Sequence, residues 1–131
     1  MNEMDMVNEP VAVTFAGKPV KAKRLSSIRR RAIIEAVIIE KYVAGILQQA
    51  RLAYADNEAK RGAYIDKAML AMPQGKAMSD LVSDHIPGKA YARMFAEATG
   101  IDEDQIVALL DDATPDEVRI LLRVISGKKK T

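Results

Sequence analysis

From Ile28 to Ala50 the apolar residues Ile28, Ala32, Ile33, Ala36, Val37, Ile39, Tyr42, Val43, Ile46, Leu47 and Ala50 recur at helical spacing, and no proline follows until Pro73. That pattern demands a long helix and leaves little of the chain for any other dominant element. Ser26 or Ser27 stands in front of it, able to accept hydrogen bonds from the free amides of the first turn. Ile34 and Ile38 fall outside the stripe, so the apolar arc is wider than a surface helix needs. Such a helix is either central to its own core or shared with another subunit. Asp56 and Asn57 weaken the pattern, so residues 26–72 form one long helix or a pair broken near 56–58. In that second part Ile65, Met69 and Met72 are the residues expected to be buried.

The flanks read differently. Val11, Val13 and Phe15 alternate with smaller residues, Ala16-Gly17-Lys18-Pro19 supplies turn chemistry, and Val20, Ala22 and Arg24 follow, which predicts a β-hairpin over residues 11–25. Two strands are marginal alone, so the ribbon must pack on a helix or pair with another edge. Pro73-Gln74-Gly75 breaks the helical pattern, and a short helix with Met78, Leu81 and Val82 then ends before Ile86-Pro87-Gly88. Tyr91, Met94, Phe95 and Ala98 make the next stripe, ended by Gly100 in the left-handed conformation. Asp102 caps another helix, with Gln105 placed to return the bond and Ile101 to pack on Ile106. Thr114-Pro115-Asp116-Glu117 opens the last: threonine cap, proline in the first turn, glutamate three residues after the cap. Val118, Leu121, Leu122 and Ile125 face inward, and Gly127 stops the helix.

The fold class is therefore mainly α: a short N-terminal β-hairpin, a long helix and a cluster of short C-terminal helices over 75–126. At 131 residues, 49% of them apolar, the chain fits one helical domain spanning 11–126, with a flexible arm at 1–10 and a basic tail at 127–131. Scarce aromatics and abundant Met, Ala, Ile, Leu and Val favour helix-on-helix packing. Glu35, Glu40 and Lys41 interrupt the most apolar run, which argues against a membrane span. The first residues lack the basic and apolar blocks of an export signal. A cytoplasmic location is expected.

Catalytic and metal chemistry find few of their parts. With no cysteine and His85 as the only imidazole, thiol chemistry, histidine triads and two-histidine metal motifs are excluded. Lysine follows glycine at Gly17, Gly75, Gly88 and Gly127, but a phosphate loop also needs an earlier glycine and a following hydroxyl. Leu70 and Ala77 occupy those places around Gly75-Lys76. Asp102, Glu103 and Asp104 read as first-turn acids that complement a helix dipole, since the spacing and central glycine of a calcium loop are absent. The expectation is a protein with no catalytic residues, no cofactor and no metal.

A net charge of +2 conceals two poles. Lys18, Lys21, Lys23, Arg24, Arg29, Arg30 and Arg31 fall between Pro10 and Ile34 with no acid. Asp102, Glu103, Asp104, Asp111, Asp112, Asp116 and Glu117 form the opposite block with no base. Arg29, Arg30 and Arg31 stand in the first turn of the long helix, where positive charge opposes the dipole, so a compensating group is expected. Three readings stay open: solvated surface charge, complementarity to another copy or a partner, and binding to a phosphate backbone.

The opening Val11-Ala12-Val13-Thr14-Phe15-Ala16-Gly17-Lys18-Pro19-Val20, then Lys23-Arg24-Leu25-Ser26 and a long helix, resembles the small tail assembly chaperones of long-tailed bacteriophages. Thr99-Gly100-Ile101-Asp102 and Ala113-Thr114-Pro115-Asp116-Glu117 look like their C-terminal short helices. The resemblance implies a non-enzymatic protein that self-associates and binds the tape measure protein during tail assembly. Its partner-facing surfaces would be apolar and charged, which selects Arg29, Arg30, Arg31, Ile34 and Ile38 as partner-binding residues. A structural virion or head–tail component and a small non-specific nucleic-acid binder are the alternatives.

Overall fold

The computed structural model describes residues 9–127. Most of the expected arm and the lysine tail lie outside the described residues. Within the stretch read as one domain the chain gathers into two compact units. One is built from residues 9–33 and 88–127, and the other is Ile34–Pro87.

The first unit opens on the expected hairpin. Strands β1 (Val11–Phe15) and β2 (Lys18–Ala22) pair antiparallel, with Val13 opposite Val20 and Phe15 opposite Lys18. The turn is tighter than the four residues expected. Ala16 and Gly17 alone make it, both at positive φ (54° and 75°), the geometry that matches the twist of a two-residue hairpin. Pro19 therefore belongs to the strand. It sits opposite Thr14, one place beyond the closing pair, where a backbone N–H would point away from the partner strand and none is missed. Alternation puts Val13, Phe15 and Ala22 in the core, which is what a lone hairpin needs.

Three C-terminal helices supply the other half of that core. We label the six helices among the described residues α1 (Ser27–Ala53), α2 (Glu58–Leu70), α3 (Gly75–Asp84), α4 (Gly88–Thr99), α5 (Glu103–Asp112) and α6 (Pro115–Ile125). α6 packs on β1, α4 on β2, and α4 meets both α5 and α6. Phe15 and Phe95 meet edge to face at 6.0 Å, and both are fully buried with Ile106, Leu121 and Ile125. Backbone bonds fasten the chain after β2 to two helix ends: Lys23 N–H donates to the Ala98 carbonyl at 2.9 Å and Leu25 N–H to that of Ile125 at 2.8 Å. These carbonyls lack partners within their own helices, so each bond satisfies a group that would otherwise need water.

Predicted caps form at Ser26, Asp102 and Thr114, the one at Asp102 without the bond expected back from Gln105. Ser26 Oγ accepts from Arg29 N–H at the start of α1. Thr114 and Glu117 make a complete capping box, with Pro115 in the first turn. Asp102 accepts from the Asp104 N–H. Gly100 and Gly127 both adopt positive φ beyond their helix ends.

The second unit holds most of α1 together with α2 and α3. Residues 26–72 are a helix pair, because α1 ends at Ala53 and Asn57 restarts the chain by accepting from Lys60 N–H at 3.0 Å. Tyr54 and Tyr64 stack obliquely at 6.0 Å beside this break. Its interior is thin: Ile34, Val37, Ile46, Ala50 and Met78 are buried, and no residue of α2 is. The expected burial of Ile65, Met69 and Met72 does not occur. Ile65 and Met72 are half-buried and Met69 is exposed.

The stripe expected on α1 also needs correction. Ile28 is 82% exposed, and Ala32, Ile39 and Leu47 are exposed as well. At about 100° per residue, Ile28 lies roughly 140° round the helix from buried Ile33. Ile33, Val37 and Ile34 share one arc of about 100°, whereas Ile46 and Ala50 lie on a different side. The buried side thus changes along the helix, so no single stripe describes it.

Candidate partner-binding surfaces

Of the five residues selected from the sequence, the structure leaves only part exposed. Arg29 is already paired: its Nε and Nη2 donate to the two carboxylate oxygens of Glu97, at 2.7 and 2.5 Å. This two-point geometry suits a planar guanidinium, and Glu97 is the compensating group that a cation at the start of α1 calls for. The hydrogen bond from Arg29 holds the Glu97 carboxyl below the usual carboxylate range, partial burial opposing, and the same contact raises Arg29 further. Arg30 donates through Nε to the Leu25 carbonyl at 3.2 Å. Arg31 is exposed. Ile34 is 6% exposed and serves the interior, so it is not available as a free surface residue.

Ile38 is half-buried and lines a cleft within the second unit. With a volume of about 290 Å³, the cleft is bounded by Ile38, Lys41, Tyr42, Leu81, Asp84, His85 and Pro87. Its floor is apolar, from one side of α1 and the end of α3, and its rim carries one cation, one carboxylate and the imidazole. Of these, sequence reasoning singled out only Ile38 for a partner. The Ile86-Pro87-Gly88 break marked the end of α3 but gave no sign that it would face α1.

Beyond the cleft, Leu52 is 72% and Leu70 86% exposed, with Met69, Ile39 and Leu47 also exposed. Single exposed leucines are ordinary. Several within one small unit, one of whose helices buries nothing, are a surface suited to another chain.

The acidic pole is partly engaged inside the first unit. Arg93 pairs with Glu103 at 3.1 Å, and Arg119 pairs with Asp116 one turn along α6. Glu117 receives Thr114 N–H at 2.8 Å and Gly17 N–H at 3.1 Å, and these backbone donors, Thr114 first, pull its carboxyl below the usual range. Among the described residues no group of three or more His, Asp or Glu side chains is arranged to hold a metal ion. No helix there is long and apolar enough to cross a membrane.

Compared with family models, with curated proteins and with solved structures, the chain matches none.

Proposed function

We propose that this is a non-enzymatic assembly protein of the tail assembly chaperone kind, which self-associates and sheathes a helix of a partner such as a tape measure protein. What supports the reading above all is α2, a helix with Ile65, Met69 and Leu70 along it and no buried residue. An amphipathic helix gains most of its stability from packing its apolar side, so a helix that packs so little within its own chain is suited to packing on another. Leu52 at the end of α1 adds to the same unit's exposed apolar surface. The paired state of Arg29 and Arg30 weighs against phosphate-backbone binding as their main task. The mechanism is burial of apolar side chains with charge matching at the edge, in the host cytoplasm during assembly.

Co-expression with a tape measure protein tests this. The parent chain should keep the tape measure protein soluble and be missing from purified particles, and Leu52→Ser with Leu70→Ser should abolish the protection while leaving the chain folded. Retention in the particle would instead indicate a structural head–tail component.

A further inference from the structure

The cleft within the Ile34–Pro87 unit carries Lys41, Asp84 and His85 around an apolar floor. Lys41 comes from α1, and Asp84 is the last residue of α3. Among the described residues neither is in an ion pair, although Arg29, Lys76, Arg93 and Arg119 all are. Asp84 is also poorly placed within its own helix. A negative charge at a C-terminal end opposes the dipole, and the last turn of α3 holds no basic residue to offset it.

A rim of this kind matches itself. In a two-fold dimer the same patch serves both partners, so whatever one residue touches, its counterpart touches in return. A rim of one sign would repel its copy, but a rim with one lysine and one aspartate brings opposite charges together twice. The cleft's volume is at the low end for a small-molecule site, and its floor, Ile38, Tyr42, Leu81 and Pro87, offers almost no polar group to orient such a ligand. We propose that two copies of the chain meet at this cleft about a two-fold axis, Lys41 of each pairing with Asp84 of the partner subunit over the joined apolar floors. The proposal rests on the reading that the protein works by self-association, and it assigns the surface and the ion pairs. So small a contact gives a weak, concentration-dependent dimer.

Sedimentation of the full chain over a range of concentrations tests it, with circular dichroism to confirm that each variant is folded. The parent should dimerise. Lys41→Asp and Asp84→Lys should each weaken self-association by at least about tenfold, since each sets like charges opposite one another. Mixing the two single variants in equal amounts should restore association as a heterodimer, because one chain then carries two anions and the other two cations. Leu81→Ser should weaken the dimer without reversing any charge. A monomeric parent overturns the proposal. So do single variants that associate as tightly as the parent, and so does a mixture that fails to recover, which would mean that Lys41 and Asp84 act within one chain. If the proposal fails in any of these ways while the chain still protects a tape measure protein, the functional reading stands without it.

Discussion

The backbone N–H of Gly17 donates to Oε2 of Glu117 at 3.1 Å across 100 positions of sequence. One carboxylate thereby closes the capping box of α6 with one oxygen and holds the hairpin turn with the other. A local signal, threonine followed three places later by glutamate, turns out to have a distant partner as well.

Acid should loosen the first unit through this carboxylate and through Glu97. Both carboxyls lie below the ordinary glutamate range in the folded state. Their contribution is present above the unfolded-state value of about 4.3 and is lost as pH falls through the lower folded values. Urea denaturation from neutral pH down to pH about 3 should show falling stability. Glu117→Gln should be less stable than the parent at neutral pH and should lose less on acidification. Thr114→Ala, which removes the other half of the box, should cost about 0.5–2 kcal/mol.

The Arg29–Glu97 pair should prove sensitive to salt. Both side chains reach solvent, at 55% and 30% exposure. A double-mutant cycle with Arg29→Ala and Glu97→Ala should show favourable coupling in dilute buffer that is largely screened at about 1 M salt. Coupling unchanged by salt would point to packing of the arginine stem in place of charge.

Exposed and buried apolar residues should part company on substitution. Leu52→Ser and Leu70→Ser should leave thermal unfolding within about 0.5 kcal/mol of the parent. Phe95→Ala, at the fully buried ring pair with Phe15, should cost about 3–5 kcal/mol. If the leucine variants unfolded as readily as Phe95→Ala, the exposed surface would have to be counted as part of the interior.

Much of the backbone was legible because its signals are local. The hairpin turn, the break at Asn57 and the caps at Ser26, Asp102 and Thr114 each depend on residues within four places of one another. The bond from Gly17 and the pairing of Arg29 with a residue 68 positions away depend on the folded path, which spacing does not encode. Periodicity also assumes that a helix keeps one side inward. α1 violates that assumption, which is why periodicity puts Ile28 inside and Ile34 outside the stripe, whereas Ile28 is exposed and Ile34 buried. Of the candidate surface, only Ile38 was anticipated, since Lys41, Asp84 and His85 gain meaning only once the end of α3 lies against α1.

Gly127 should resist replacement for two separable reasons. Its φ is +81°, and a Cβ built there would lie 2.5 Å from Arg24 Nε. Gly127→Ala should therefore cost about 1–2 kcal/mol from the backbone conformation, plus the displacement of Arg24. Adding Arg24→Ala should remove the second part, so the two changes should combine to less than their separate effects. The buried Arg24 Nε has no hydrogen-bond partner, so Arg24→Met alone should be close to neutral in chemical denaturation.

The first unit is completed from both sides of an intervening one, and this sets the order in which a ribosome can deliver it. Val13 and Phe15 emerge early, but Leu121 and Ile125, which share their core, are made about a hundred residues later. Until then the ribbon has no α6 to rest on, and its apolar side is open to whatever the nascent chain meets. Closure over so long a separation is slow compared with the winding of α1, so the helices of the Ile34–Pro87 segment can form while the hairpin still waits.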